Sequence, residues 1–263
     1  MPLTWKNLNQ DYAYRYFDNE AASTYVQTRF NESLVNRGKG GGIADVYNKM
    51  KDVPVMQSDF WRYAILATEG GVYSDFDTKC LKPIEGWHIP PWLRPLSLFE
   101  DEPRRDPAII VGIEVDVGSR PDWHAWWPRP LGIVQWTMAS TRGHPILIDT
   151  MRRVVEAIDQ TNSSTLSLEG QHRQLDSVVE KTGPAPFTDS VLRYLGAKYN
   201  VTWPDLRHLP AEGKMFGDEN MPADVLVLSV TAFSPGVGQF GSGDVKSEAA
   251  LVQHFFAGSW KHD

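Results

Sequence analysis

A chain of 263 residues that is 41% hydrophobic and 11% aromatic can bury a sizeable core. A formal net charge of -7, with no clustered stripe of Lys and Arg, excludes a nucleic-acid partner of the phosphate-tracking kind. The single cysteine, Cys80, excludes an internal disulfide and a cysteine-built zinc site, and is read as a small buried hydrophobe rather than a reactive thiol.

No apolar run approaches the roughly 18 to 20 residues of a membrane span, and Met1 opens no signal-peptide pattern, so the chain as it stands is expected to be soluble. Three Asn-x-Ser/Thr triplets, at Asn31, Asn162 and Asn200, are glycan acceptors if the protein lives in the secretory pathway.

The first fifty residues are polar and aromatic and end in a glycine loop, Gly38 and Gly40 to Gly42, read as a surface crossing. A phosphate cradle is the other reading, but no Lys-Ser/Thr follows the glycines. Residues 57–71, QSDFWRYAILATEGG, predict a helix capped by Ser58 and ended by Gly70-Gly71. Val72-Tyr73-Ser74 then form a short strand with Asp75 and Asp77 at its carboxyl end. Residues 108–117 and 132–140 predict strands, 144–160 an amphipathic helix with Pro145 in its first turn, 188–198 another helix and 223–230 a further strand. Strands alternating with helices predict an α/β protein with a mixed, mostly parallel sheet flanked by helices, and residues 1–263 read as one domain. Ligands of such sheets bind beyond the carboxyl ends of strands, where the two aspartates fall.

Asp75-Phe76-Asp77 can hold a metal, supply a nucleophile with its acid partner, or make a turn. The phosphatase pattern Asp-x-Asp-x-Thr fits locally, but only Val72 and Tyr73 precede the acids, behind two glycines, and the GDEN of 217–220 is a poor acidic pair. The motif also has company upstream: Asp59 lies three residues before Arg62, on one helical face, so the two can pair. Glu114 and Asp116, two apart on a strand, face one side, towards a cleft or towards solvent. Trp123, Trp126 and Trp127 lie in a proline-rich loop and either stack on sugars or fill a core, and Asp189 either caps the helix that follows or contacts a ligand.

The stretch SDFWRYAILATEGGVYSDFD (58–77) resembles the sugar-nucleotide signature of glycosyltransferase family 32. GIEVD (112–116), QWTMASTRGHPIL (135–147), TGPAPFTDSV (182–191) and VQHFFAGSWK (252–261) resemble its later blocks, especially those of the fungal Golgi initiation-specific α-1,6-mannosyltransferases. WKNLNQDYAYRYFDNE, near the start, is similar to the family's Trp-x(n)-Asn-Pro-Asp-Tyr segment, with Gln10 in place of the proline.

The resemblance implies a GT-A type nucleotide-sugar-binding fold and a metal-dependent retaining transferase. It implies that Asp75, Asp77 and His254 hold Mn²⁺, with Mg²⁺ as the other hard cation, and a nitrogen ligand tips the choice to Mn²⁺. His254 beside Phe255 and Phe256 can also be a core histidine. Asp59, Arg62, Asp75 and Asp77 are the implied catalytic set, Asp59 accepting from donor-sugar hydroxyls while Arg62 holds it. Tyr73, Glu114, Asp116, Gln135, Trp126, Trp127 and Asp189 complete the donor and acceptor contacts.

The expected partners are GDP-mannose and a mannose-rich N-glycan, joined in α-1,6 linkage. The expected setting is the Golgi lumen, the native protein being a type II membrane protein whose anchor, and a first strand common in the family, lie outside this chain. Another hexose donor, a lipid acceptor, or an inactive glycan-binding or scaffold subunit of a mannan-synthesising complex are the rival readings.

Overall fold

A computed structural model of the chain describes residues 2–30, 42–88, 106–160, 178–221 and 223–257. The glycine-loop positions 38, 40 and 41, the triplets at Asn31 and Asn162, and residues 258–261 of the last quoted block lie outside these. In chain order come helices α1 (Pro2–Leu8), α2 (Asn19–Phe30), α3 (Ile43–Lys49) and α4 (Pro54–Glu69), then strands β1 (Gly71–Ser74), β2 (Thr78–Cys80), β3 (Ile109–Asp116), β4 (Leu131–Ile133) and β5 (Thr137–Ser140). Helices α5 (Pro145–Asp159) and α6 (Pro184–Tyr199), strands β6 (Lys214–Phe216) and β7 (Val225–Leu228), helix α7 (Val230–Phe233) and strand β8 (Val252–His254) follow.

The mixed sheet flanked by helices bears out the expected α/β class. Its order is β1-β5-β3-β7-β6, with β4 also on β3, while β2 and β8 form a separate antiparallel pair. The expectation of mostly parallel strands is corrected: among the described pairings only β3 with β7 is parallel. Parallel neighbours need a crossover of a dozen residues or more, usually a helix. Between β3 and β5 the chain carries only a single short helical turn, Trp123–Ala125, and the strand β4, so the chain folds back on itself.

Side-chain alternation sends β3 and β7 to two cores. Ile109, Val111, Ile113, Val225 and Val227 pack with α2 to α6 on one face. Ile110, Leu226 and Leu228 pack with Trp87, Trp136 and Phe233 on the other. Cys80 is buried, as expected, and burial pushes its thiol up to about 11.

Three expected boundaries move. Helix α4 starts at Pro54 in its first turn, four residues before Ser58, so Ser58 lies inside the helix and caps nothing. Helix α6 likewise starts at Pro184, with Asn200 ending it in the left-handed region at φ 55°. The single strand expected over 132–140 is two, because the chain changes partner: β4 joins the far end of β3 through a register shift, and β5 joins β1 and the near end of β3. The double glycine ends α4 as expected. Gly70 sits at φ 72°, where a Cβ would come within 2.9 Å of the Arg142 nitrogen, so the switch from helix to β1 needs glycine there.

Candidate metal and sugar site

The tight helix-to-strand switch delivers the end of β1 beside α4. The Asp75 nitrogen donates to the Trp136 carbonyl at 2.8 Å, which fixes the turn against the segment between β4 and β5. The Asp75 carboxylate receives the Tyr73 hydroxyl at 2.8 Å on Oδ1 and the Arg62 guanidinium at 3.3 Å on Oδ2. Arg62 itself is buried and also meets Asp59 Oδ1 at 3.2 Å, so the expected helical pair exists and continues into the motif.

Asp59 is deeply buried. Its Oδ2 receives the Thr182 hydroxyl at 2.9 Å and its Oδ1 the Gln135 amide at 3.2 Å. Burial pushes its carboxyl up to about 6 even though Arg62, Thr182 and Gln135 pull the other way. For Arg62 burial opposes the charge, but Asp75 and Asp59 outweigh it and hold the guanidinium more firmly protonated than usual.

Asp77 faces the second sheet. His254 Nε2 lies 3.0 Å from its Oδ1, and the Ala257 nitrogen donates to Oδ2 at 2.9 Å. The His254 contact, with the Ala257 amide, holds the Asp77 carboxyl below its usual range against the effect of burial. His254 stacks on Trp136 with centroids 4.3 Å apart, and its Nδ1 is buried without a partner among the described residues. Ligand atoms of Asp75, Asp77 and His254 all lie within 4.8 Å of one another. Two carboxylate oxygens and an imidazole nitrogen at that spacing suit Mn²⁺, so the residues present fit the expected ion.

Glu114 comes up from β3 beneath this cluster. Burial pushes its carboxyl up, while His254, the Trp136 indole and Arg62 act in the opposite sense. Its expected neighbour Asp116 is held elsewhere, by the Arg207 guanidinium at 3.1 Å and the Gly118 nitrogen at 3.1 Å. Asp189 caps no helix, because α6 begins five residues before it; both its oxygens meet Arg129, at 2.7 and 2.8 Å.

The tryptophan loop is not core at its tip. Trp126 is 66% exposed, whereas Trp127 packs edge-on against Phe240 with centroids 5.3 Å apart. Arg120 lies over both rings, 5.9 and 5.2 Å from their centroids, and is itself tied to Asp122. On the other side of Asp75, a cleft of about 370 Å³ opens between residues 12–19, α4 and β1, with Tyr14, Tyr16, Trp61, Tyr73 and Phe76 among its walls. Tyr16 and Phe76 stand edge to face at its mouth, both largely exposed.

Tyr63 lies in the stretch 58–77 and Thr182 opens the stretch 182–191, but neither pattern says which groups they meet. Their contacts to Asp59 and Gln135 span more than seventy residues of sequence, beyond any local periodicity.

Residues 3–94 match the family described as the glycosyltransferase sugar-binding region containing the DXD motif, and that span includes Asp59, Arg62, Asp75 and Asp77. Over 98% of its length the chain is 38% identical to an initiation-specific alpha-1,6-mannosyltransferase of Schizosaccharomyces pombe, covering 59% of that protein. It is 30% identical, over 99% of its length, to the protein of the same name in Candida albicans, covering 66% of it. The Saccharomyces cerevisiae protein of that name is 26% identical over 80% of this chain, with 64% of its own length covered. The chain therefore spans about three fifths to two thirds of the length of these relatives, and the resemblance read from the sequence is borne out.

Proposed function

We propose that this chain, whose residues 3–94 carry the DXD sugar-binding region, is a GT-A type catalytic domain that moves mannose from GDP-mannose to a mannose-rich N-glycan in α-1,6 linkage with retention. The observation that carries the reading is the meeting of Asp75, Asp77 and His254 at one point beside an aromatic cleft, with the Arg62 cation behind it. When bound, Mn²⁺ supplies positive charge to the diphosphate that leaves.

Within this reading Asp77 and His254 hold each other in register through their 3.0 Å contact, so the ligand geometry is set before any ion arrives. Tyr73 and Arg62 orient Asp75. The cleft takes the nucleoside, whose flat base suits Tyr16, Phe76 and Trp61. Glu114, a half-buried residue whose carboxyl feels His254, is assigned to the donor sugar or the incoming hydroxyl, and the leaving phosphate oxygen takes the proton of that hydroxyl.

Trp126 and Trp127, clamped by Arg120, form the acceptor platform. Asp116 and Asp189, each committed to an arginine, shape the walls. The Golgi lumen is the compartment assigned, with an anchor in the native protein; in the structure no described helix is long and apolar enough to cross a membrane.

Asp77→Asn tests the reading. The amide is nearly isosteric, so the variant folds, while transfer from GDP-mannose with Mn²⁺ falls roughly a hundredfold or more. GDP with Mn²⁺ raises the melting temperature of the wild type more than UDP does. Wild-type transfer by folded Asp77→Asn protein overturns the metal assignment, and equal shifts with the two nucleotides overturn the guanine assignment. Glycan binding without transfer from any GDP- or UDP-sugar marks the scaffold reading instead.

A further inference from the structure

Arg62 divides one guanidinium between two carboxylates, Asp59 at 3.2 Å and Asp75 at 3.3 Å. Whatever fixes Asp59 therefore decides how much of that cation is left for Asp75. Two groups outside Asp75-Phe76-Asp77 do the fixing. The Thr182 hydroxyl stands 2.9 Å from Asp59 Oδ2 and 3.2 Å from the Val178 carbonyl, with one proton to give. The Val178 carbonyl already accepts from the Thr182 nitrogen at 3.0 Å, and a carboxylate is the stronger acceptor, so the proton belongs to Asp59.

Tyr63 sets the other oxygen. Its hydroxyl faces Gln135 Oε1 and also the Gly183 and Thr182 carbonyls, at 3.0 and 3.2 Å; donation to Gln135 Oε1 leaves the Gln135 amide nitrogen facing Asp59 Oδ1 at 3.2 Å. With the amide reversed, a carbonyl oxygen would face the carboxylate. Tyr63, on α4, and Thr182, on the turn that leads into α6, are both fully buried, so neither is free to reach a substrate.

We propose, on the transferase reading above, that Thr182 and Tyr63 are positioning residues: by fixing both oxygens of Asp59 they keep Arg62 shared between Asp59 and Asp75, which limits its hold on Asp75 Oδ2 and lets a divalent cation compete for that carboxylate. Loss of the Thr182 hydroxyl loosens Asp59, the guanidinium shifts its charge onto Asp75, and the cation competes with Arg62 for that oxygen. The defect is one of metal affinity, partly reversed by excess metal. A purely structural role instead lowers the melting temperature and leaves the folded molecules unchanged.

The experiment compares wild type, Thr182→Val, Thr182→Ser, Tyr63→Phe and Asp77→Asn, each well below its melting temperature. It reads Mn²⁺ binding by titration with the metal alone, followed by electron paramagnetic resonance, and transfer from GDP-mannose across Mn²⁺ concentrations. Thr182→Val is expected to weaken Mn²⁺ binding about tenfold, the scale of one hydrogen bond to a charged group. Its transfer recovers as Mn²⁺ is raised, Thr182→Ser stays within about threefold of wild type because it keeps the hydroxyl, and Tyr63→Phe moves in the same direction as Thr182→Val by less.

If Asp77→Asn loses Mn²⁺ and transfer while Thr182→Val binds Mn²⁺ as wild type does, the inference is overturned and the transferase reading stands. If wild type binds no Mn²⁺ and Asp77→Asn changes nothing, the reading beneath it fails. Should Thr182→Val not fold, Tyr63→Phe decides on the same criteria.

Discussion

Asp59 and Asp224 are both almost sealed from solvent, 2% and 0% exposed, yet their surroundings treat the charge oppositely. Asp224, at the entry to β7, receives the Tyr199 hydroxyl at 2.6 Å, the Tyr194 hydroxyl at 2.8 Å and the Lys198 ammonium at 3.0 Å, with His144 Nε2 at 3.5 Å. Burial works against its charge, but these donors outweigh burial and its carboxyl sits below the usual range. Asp59 has partners too, yet burial wins and its carboxyl rises to about 6. A buried carboxylate that only ties α6 to the sheet is surrounded until its charge is favourable. The one joined to Asp75 through Arg62 keeps an unfavourable charge, a mark of placement for function rather than stability.

The sharpest break of this comparison is Asp224→Ala. It strands Lys198 and two phenols and is expected to cost about 3 kcal/mol or more, a melting-temperature loss of roughly 6 to 12 °C, with turnover per folded molecule unchanged. A wild-type melting curve contradicts the structural role. Asp59→Asn is expected to do the reverse: calorimetry finds stability within about 1 kcal/mol of wild type or above it, while transfer falls roughly tenfold to a hundredfold. A large drop in melting temperature with full activity makes Asp59 another Asp224.

The pH dependence separates the two further. Because folding raises the Asp59 pKa, this group favours the fold most below its ordinary value of 3.8, and that contribution is lost as pH rises through about 6. The ionised form that holds Arg62 is present only above about 6. Transfer is therefore expected to fall on the acid side near pH 6 while circular dichroism still reports a folded chain; a flat profile to pH 5 contradicts this. The smallest effect is expected at the surface, where Trp126→Ala weakens acceptor use about fivefold and leaves donor hydrolysis and stability unchanged.

Much of this site was legible from neighbouring residues. Asp59 and Arg62, three apart on a helix, and Asp75 and Asp77 after a double glycine are local patterns, and the structure joins them through one guanidinium. His254 was legible only through resemblance, since its approach to Asp77 depends on β8 pairing with β2 across more than 170 residues. The Thr182 and Asp224 networks left no local trace, because hydrogen bonds between distant elements have no periodicity. The strand directions were misread for a related reason. Periodicity identified β3 and the stretch after it, but direction depends on the connection, and a three-residue helical turn cannot carry a parallel crossover.

Asp75, Asp77 and His254 are proposed to form one cation site for a leaving diphosphate. A calorimetric titration of Mn²⁺ into the GDP-saturated protein tests it most directly, comparing wild type with Asp77→Asn and His254→Ala. One Mn²⁺ per chain is predicted for wild type, with affinity lowered at least about tenfold in both variants. Equal affinity in all three proteins, or no uptake by wild type, contradicts the account.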